Sequence, residues 1–552
     1  MKVVINYMRP QSGNQPSEIF GIDVAITHFL KAFFRYSRQE KFFFIPGSDD
    51  SIAELRSIAD SEQVDFARCA WMSPFSPRDM LEDADVFFRA DPNMVDHIWK
   101  RLQLEYGGYA ISSIVHTMTG ERIAGVLGDF QLAPSRAGDS IVCPSTAIRD
   151  AVRKLWDIQA DYYNRRFGGH FKCPVDLPVI PLGIHTERFL RISSAAHRAQ
   201  QRQALGITED EVVILYVGRM SYATKAHPLP LFQAAELAAQ QTKKKVRLVL
   251  YGFFKPEVME EDFRKMAADY CKTVKVDFVL NNDPRFSDGL WAVGDIFASL
   301  IDNIQESFGF TPIEAMACGL PAVISDWDGY RDGVRHGTDG FHVPTISIPE
   351  GYGHEVAKHY YNIRNYGDYL IRNNQAVAVD TEVAAAAFRM LIEDKDRRLA
   401  MGQQGRTRAI ENYDWRVIIK TYEDMWEEQA AKRTGKATDG APVNWPAVNP
   451  SYPDPSSMFM GFPSDRLSMR DRLELIAADE DVARVARHRM NLFGMDMLLP
   501  DAVISNVMGL INANPKARIV DIKAAMKITD DPRFMRSIAW LLKMGLVRRL
   551  KP

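Results

Sequence analysis

Two successive α/β units followed by a small helical module are the architecture this chain predicts, and three observations predict it. Short β-rich runs alternate with amphipathic stretches through residues 1–192, and the alternation restarts near residue 211. Beyond a proline-rich stretch, the composition turns helical to the C-terminus. The 552 residues are 46% hydrophobic and 25% charged, with 68 Lys+Arg against 71 Asp+Glu for a net charge of −3. Such a chain has room for three or four cored units, which excludes a disordered chain and a small disulfide scaffold. The near-neutral balance argues against wholesale coating of nucleic acid or anionic membrane, although a local basic module can hide in the average.

In the first unit, strands are predicted at 2–8, Lys41–Ile45, Val64–Ala67, Asp85–Phe88, Ile111–Val115 and Ser140–Cys143. Between the first two, Ile22, Ile26, Phe29, Leu30 and Phe33 recur on one helical face. Strand–helix–strand alternation of this kind implies a parallel sheet wrapped by helices. In the second unit, strands read at Val212–Val217, Val246–Tyr251, Val274–Val279, Asp295–Leu300 and Pro321–Ser325, with helices at about 229–240 and 256–270 between them. A further helix runs from about 415 to 432. Residues 434–463 hold six prolines and no apolar periodicity, as an extended linker does. The expected division is 1–192 and 193–413 for the two α/β domains, 414–433 for a returning helix, 434–467 for the linker and 468–552 for the helical module.

No run of about 18 apolar residues spans a membrane, and the start at Lys2–Met8 reads as a strand rather than a secretory signal. The five cysteines, Cys69, Cys143, Cys173, Cys271 and Cys318, are scattered and form no CxxC pair. They read as buried free thiols in a reducing compartment. The expected location is the cytoplasm, free or peripheral at a membrane.

The most informative stretch is Glu306 to Pro321. A strand ends near Leu300, a loop follows, and a short helix begins with Thr311 as a candidate N-cap, Pro312 at its first position and Gly319 at its stop. Helix N-termini placed after strands present free N–H groups to anionic or hydroxyl-rich ligands. Thr311-x-x-Glu314 also has the form of a capping box, in which the glutamate serves only the helix end. Glu306 alone reads equally as a solvated loop carboxylate.

Glu306-x7-Glu314, set within ESFGFTPIEAMACGLPAVISD, resembles the signature of family-4 retaining glycosyltransferases of the GT-B fold, the group 1 glycosyl transferases. The similarity continues in Tyr216–Met220 with Lys225, in Val179–Ile184 followed by Phe189, in Gly329, Val334, Gly337 and Gly340–Pro344, and in Tyr413-Asp414-Trp415 before a last helix. These ordered motifs cover roughly residues 180–430, and a weaker match covers 1–180.

The resemblance implies two Rossmann-like domains facing across a cleft, with a nucleotide-sugar donor held mainly by the second. By it, Arg219 and Lys225 contact the donor diphosphate, where fixed cations stabilise the developing leaving-group charge without a metal. Glu314 accepts the ribose hydroxyls, and Glu306 faces the transferred sugar. The N–H groups of Phe308, Gly309 and Phe310 bind its hydroxyls or phosphate. His116 lies close to the reacting sugar, and Gly21 ends a glycine loop near the diphosphate. Two departures stand out: Ala226 follows the lysine where the family usually has Gly, and Ser17–Phe20 replace the usual paired glycines. No general base is named, because same-face attack lets the departing phosphate take the acceptor proton. Asp326-Trp327-Asp328 has the form of a DxD metal motif but falls where the GT-B pattern has a cleft loop. No metal and no cofactor are expected.

Residues 434–552 fall outside the resemblance. Three short helical patterns followed by Gly545-Leu546-Val547 resemble a winged helix-turn-helix, and residues 496–552 carry ten Lys/Arg against five Asp. A basic winged helix can sit on DNA, yet Asp530-Asp531 open the would-be recognition helix, and protein contact through 468–552 is the favoured reading. The functional expectation is a retaining, metal-independent glycosyltransferase moving a sugar from a nucleotide sugar to an acceptor hydroxyl. The acceptor is left open among glycan, lipid-linked glycan, protein and nucleic acid. The alternatives are a DNA-associated transferase or nucleotide-sugar sensor, and a phosphorylase on the same fold.

Overall fold

The structure is a computed structural model that describes residues 1–8, 21–71, 83–102, 108–120, 122–363, 365–434, 449–476, 479–486, 488–491, 494–529 and 531–550. The chain divides into two compact units, Met1–Pro450 and Ser451–Pro552.

The larger unit contains two six-stranded parallel sheets. The first is built from β1 (Val3–Tyr7), β2 (Phe42–Pro46), β3 (Cys69–Trp71), β4 (Val86–Arg89), β5 (Ala110–Ile114) and β6 (Ser140–Val142), in the order β3-β2-β1-β4-β5-β6. Most of its strands are short runs buried along nearly their whole length, such as VVINY in β1, because helices cover both faces of the sheet. The second sheet contains β7 (Glu211–Met220), β8 (Lys245–Phe254), β9 (Lys275–Leu280), β10 (Ile296–Ser299), β11 (Ala322–Ser325) and β12 (Gly340–Val343), in the order β12-β11-β10-β7-β8-β9. Each order reverses once, between β1 and β4 and between β7 and β10. In open parallel sheets, ligands bind beyond the carboxyl ends of the strands at that reversal.

Local chemistry explains the departures from expectation. The strand predicted at Val64–Ala67 is displaced to β3, because the Asp65 side chain caps Ala67 N–H and folds Phe66–Arg68 into a single 3-10 turn. β7 runs to Met220 rather than Val217, so Arg219 lies within the strand, opposite Phe253 of β8. β12 was read only as part of a motif, yet Gly340–Val343 pairs with β11 along its whole length. Two of the five free cysteines, Cys143 and Cys318, are buried, whereas Cys69, Cys173 and Cys271 are half-buried.

The Trp415–Thr434 helix packs on the first sheet. Trp415, Ile418, Ile419, Tyr422 and Trp426 enter the core beside Val3, Ile5, Phe29 and Phe88, and the Trp426 indole donates to Ser112 Oγ at 3.1 Å. Further contacts hold the two sheets together. Ser145, the N-cap of the Thr146–Phe167 helix, donates through its hydroxyl to the Ser307 carbonyl at 2.8 Å. The Thr146 N–H and hydroxyl both donate to the Asp332 carboxylate, at 2.5 and 2.7 Å.

In the smaller unit, helices Asp501–Ala513, Ile519–Ala525 and Arg533–Lys543 pack around Ile504, Met508, Ile519, Ile538 and Leu541. β15 (Arg472–Leu475) pairs antiparallel with β16 (Val547–Leu550). β13 (Thr345–Ser347) and β14 (Val377–Val379) form a separate antiparallel pair in the larger unit. Residues 435–448 of the expected linker lie outside the described residues.

Candidate active site

At the order reversal of the second sheet, the chain leaving β7 and the chain leaving its neighbour β10 converge. The first carries Arg219 and, after a turn closed by the Lys225 N–H donating to the Ser221 carbonyl, Lys225. The second runs through Asp302 and Asn303 to Glu306, Ser307 and Phe308. Asn303 ties the two loops together, its amide donating to the Ala223 carbonyl at 2.9 Å.

Lys225 forms an ion pair with Glu306 in which both side chains are about five-sixths buried, at 16% and 17% exposure. The Lys225 ammonium also lies 6.0 Å from the centre of the Tyr330 ring. Burial works against the charged form of Glu306. The Lys225 ammonium and the N–H groups of Ser307 and Phe308 outweigh it and hold the carboxyl below its ordinary range. Lys225 is held correspondingly above the usual ammonium range, because Glu306 overcomes its desolvation. One of the three backbone donors expected to face a ligand, the Phe308 N–H, thus already serves a carboxylate together with the Ser307 N–H, which marks the spot as one that favours an anion.

Arg219 Nη2 donates to Thr224 O and to Gln305 Oε1, both at 3.3 Å, while its buried Nε has no hydrogen-bond partner. Burial depresses its ordinarily very high pKa. A guanidinium held by two long hydrogen bonds retains donors for another acceptor.

The Phe310–Ala317 helix starts earlier than the sequence suggests. Its N-cap is Gly309, not Thr311, and no side chain caps it. Gly309 has φ 90°, and a Cβ there would approach the Tyr330 ring to 2.1 Å, so only glycine fits. The capping-box reading of Glu314 therefore fails. Glu314 sits within this helix, and burial pushes its carboxyl up to about 7 against the opposing pull of Arg188 and Lys225. Phe308 is part of the core beside the helix, and Phe310 packs edge-on against it at 5.4 Å.

This shift carries a stability consequence with a definite sign. A carboxyl whose pKa of about 7 in the fold exceeds its ordinary 4.5 destabilises the fold increasingly as pH rises between those values. The Glu314→Gln protein is expected to gain stability over the wild type from pH 4.5 to 7, with no further gain above. Melting temperatures measured across that range check it, and a difference independent of pH contradicts it.

His116 follows β5 across the cleft. Its Nε2 meets the Ala90 carbonyl at 2.8 Å, and since a carbonyl only accepts, Nε2 carries the proton and Nδ1 the lone pair. Burial lowers its pKa, so the ring is neutral near pH 7. The structure brings Arg219, Lys225, Glu306, Gly309 and Phe310 together and places Glu314 within electrostatic reach; His116 hydrogen-bonds only within its own domain. Gly21 opens the Gly21–Tyr36 helix, while the Ser17–Phe20 stretch expected to form the glycine loop lies outside the described residues.

Several residues of the site were missed on the sequence. Tyr330 is wholly buried beneath Lys225 and shares a 2.9 Å hydrogen bond with Ser299. Tyr366 reaches across the cleft to the Thr119 hydroxyl at 2.8 Å, close to Arg219. Neither stands in a spacing that signals chemistry. Asp326-Trp327-Asp328 forms a turn against the Glu306 loop, with the Trp327 indole donating to the Asn303 carbonyl at 3.0 Å. Among the described residues, no three His, Cys, Asp or Glu side chains gather as a metal-holding group. No helix among them is long and apolar enough to cross a membrane.

Residues 197–358 match the family model of glycosyl transferases group 1, which supports the resemblance seen in the motifs. A D-inositol 3-phosphate glycosyltransferase of Kineococcus radiotolerans is 28% identical over 316 residues, covering 56% of this chain and 62% of the relative. One of the same name from Geodermatophilus obscurus is 30% identical over 166 residues, covering 29% and 35%. The chain thus spans less than two thirds of the length of these relatives. The structure of Anabaena Alr3699/HepE in complex with UDP superposes with a TM-score of 0.50 at 15% identity, over 78% of this chain and 100% of that one. The two-sheet GT-B fold is therefore shared.

Proposed function

We propose that this chain is a group 1 glycosyltransferase that moves a sugar from a nucleoside-diphosphate donor to an acceptor hydroxyl, with retention and without a metal. The observation that carries the reading is the Lys225–Glu306 pair beside Arg219 at the order reversal of the second sheet. Lys225 and Arg219 are positioned to bind the donor diphosphate, Lys225 by exchanging its carboxylate partner for phosphate oxygens. Glu306 then turns to the transferred sugar. As the bond from the anomeric carbon to the phosphate oxygen breaks, the two cations take up the charge gathering on the leaving group. Glu306 stabilises the positive charge left at the sugar. The acceptor oxygen attacks from the face the phosphate leaves, and its proton passes to a departing phosphate oxygen.

Glu314 fits the donor ribose, because a carboxylate accepts from paired hydroxyls. Neutral His116, anchored by Ala90, lines the acceptor side through Nδ1. The acceptor that fits the relatives' name is a polyol.

The smaller unit we read as a protein-docking module of winged-helix type. Four of the ten Lys/Arg of residues 496–552 are engaged in place: Arg518 pairs with Asp521, Arg533 with Asp531, Arg548 with Glu474, and Arg549 with Asp465 and Asp471. A nucleic-acid phosphate would have to compete with a carboxylate for each of these four.

A thermal-shift panel of UDP, GDP and ADP with their sugar conjugates tests the donor site. A bound nucleotide at about 100 times its dissociation constant stabilises the fold by about 2.7 kcal/mol. One base is expected to raise the melting temperature, and no response from any of them contradicts the reading.

A further inference from the structure

Asp328 stands in a conformation and an environment that the fold itself does not explain. Its φ is 44°, in the left-handed region, one of three such non-glycine residues among those described. Aspartate tolerates that region when its side chain bonds locally, and the Gly329 N–H does reach the Asp328 carboxyl, but Asp328 Oδ1 is buried and has no hydrogen-bond partner. Buried polar atoms are nearly always satisfied, and strained backbone concentrates at functional sites. Here both anomalies fall on one residue.

Its position is fixed by the neighbouring glycine. A Cβ on Gly329 would come within 2.6 Å of Phe308 Cα and of the Ser307 carbonyl, so the Asp328–Gly329 turn is pressed against the Glu306 loop. Burial and the neighbouring Glu306 carboxylate push the Asp328 carboxyl up to about 8, so it is largely protonated near pH 7. A neutral carboxylic acid both donates and accepts, as a sugar hydroxyl does. A carboxyl next to another carboxylate is a poor neighbour for phosphate and a good one for an uncharged polyol.

We propose that Asp328 is a specificity-determining residue that hydrogen-bonds the transferred sugar alongside Glu306, the two carboxyls selecting a donor whose sugar presents free hydroxyls there. The assignment rests on the donor-site reading above and adds a contact to the sugar rather than to the nucleotide.

Two substitutions and two kinds of probe separate the possibilities. Asp328→Gly suits the left-handed backbone and is expected to fold at least as stably as the wild type. It should bind the free diphosphates UDP, GDP and ADP with unchanged affinity. For UDP-glucose, GDP-mannose or ADP-glucose, whichever the wild type takes, kcat/KM for donor turnover should fall at least tenfold. Asp328→Asn, which keeps a donor and an acceptor, should recover part of that loss.

Unchanged kcat/KM in Asp328→Gly overturns the proposal and leaves Asp328 a turn residue. A lower melting temperature with unaltered sugar discrimination overturns it too. If the wild type binds no nucleotide at all, the donor-site reading fails first, an outcome distinct from normal nucleotide binding with no effect at Asp328.

Discussion

Replacing Glu306 by Gln is expected to make the protein less stable, to tighten its grip on nucleoside diphosphate and to abolish most turnover. The three effects share one cause. Glu306 is the charged partner of Lys225, and both side chains lie largely out of solvent. Without the carboxylate charge, the ammonium remains largely desolvated, with the Tyr330 ring and a neutral amide for company. A charge-assisted hydrogen bond at such a site contributes about 1.5–3 kcal/mol, so the melting temperature falls. The same loss frees Lys225 from a competitor, and a diphosphate binds without first displacing a carboxylate. Turnover falls by about 100- to 1,000-fold, the usual effect of removing one preorganised electrostatic partner of the transition state. Calorimetric melting, nucleotide titration and donor turnover on the one variant check all three. Weaker nucleotide binding with normal turnover contradicts the assignment.

The second large effect is expected at the cations. Lys225→Ala should weaken nucleoside-diphosphate binding by about 10- to 100-fold, corresponding to loss of one charge-assisted contact of about 1.5–3 kcal/mol. It also leaves Glu306 buried without its ammonium. That carboxyl's pKa, held low chiefly by Lys225 against burial, should rise. Arg219→Ala should weaken binding similarly with less effect on stability, because Arg219 makes only two long hydrogen bonds and no ion pair to a carboxylate. Titration of each variant with the nucleotide that the wild type takes measures both. If one cation proves dispensable for the diphosphate, the pairing of roles is wrong.

Much of the fold is legible in the sequence because its central strands are buried. Runs such as Val212–Val217, apolar throughout, and Val246–Tyr251, apolar but for Arg247, are separated by helical periods, which leaves a parallel sheet as the natural reading. The misses have local physical causes. Asp65 turns the start of a strand into a capped 3-10 turn. Gly309, with its positive φ and a Cβ-free approach to the Tyr330 ring, is the N-cap in place of Thr311, the better N-cap by composition.

The site was legible where chemistry follows chain order. Arg219 lies at the carboxyl end of β7, and Lys225 and Glu306 follow β7 and β10, so the motif order that carries the resemblance already groups them. Tyr330, Tyr366 and Asp328 were not legible, since they reach the site only through tertiary packing. Asp328 was noticed as half of a DxD pattern. Its importance comes instead from a backbone angle and an unpaired oxygen, neither of which a sequence displays.

Release of nucleoside diphosphate from a nucleotide-sugar panel in the presence of EDTA tests the central claim most directly. The wild type is expected to release one nucleoside diphosphate, with Glu306→Ala silent while still binding it. No release from any donor, release that stops on chelation, or release that requires inorganic phosphate would contradict a metal-independent glycosyltransferase built on Arg219, Lys225 and Glu306.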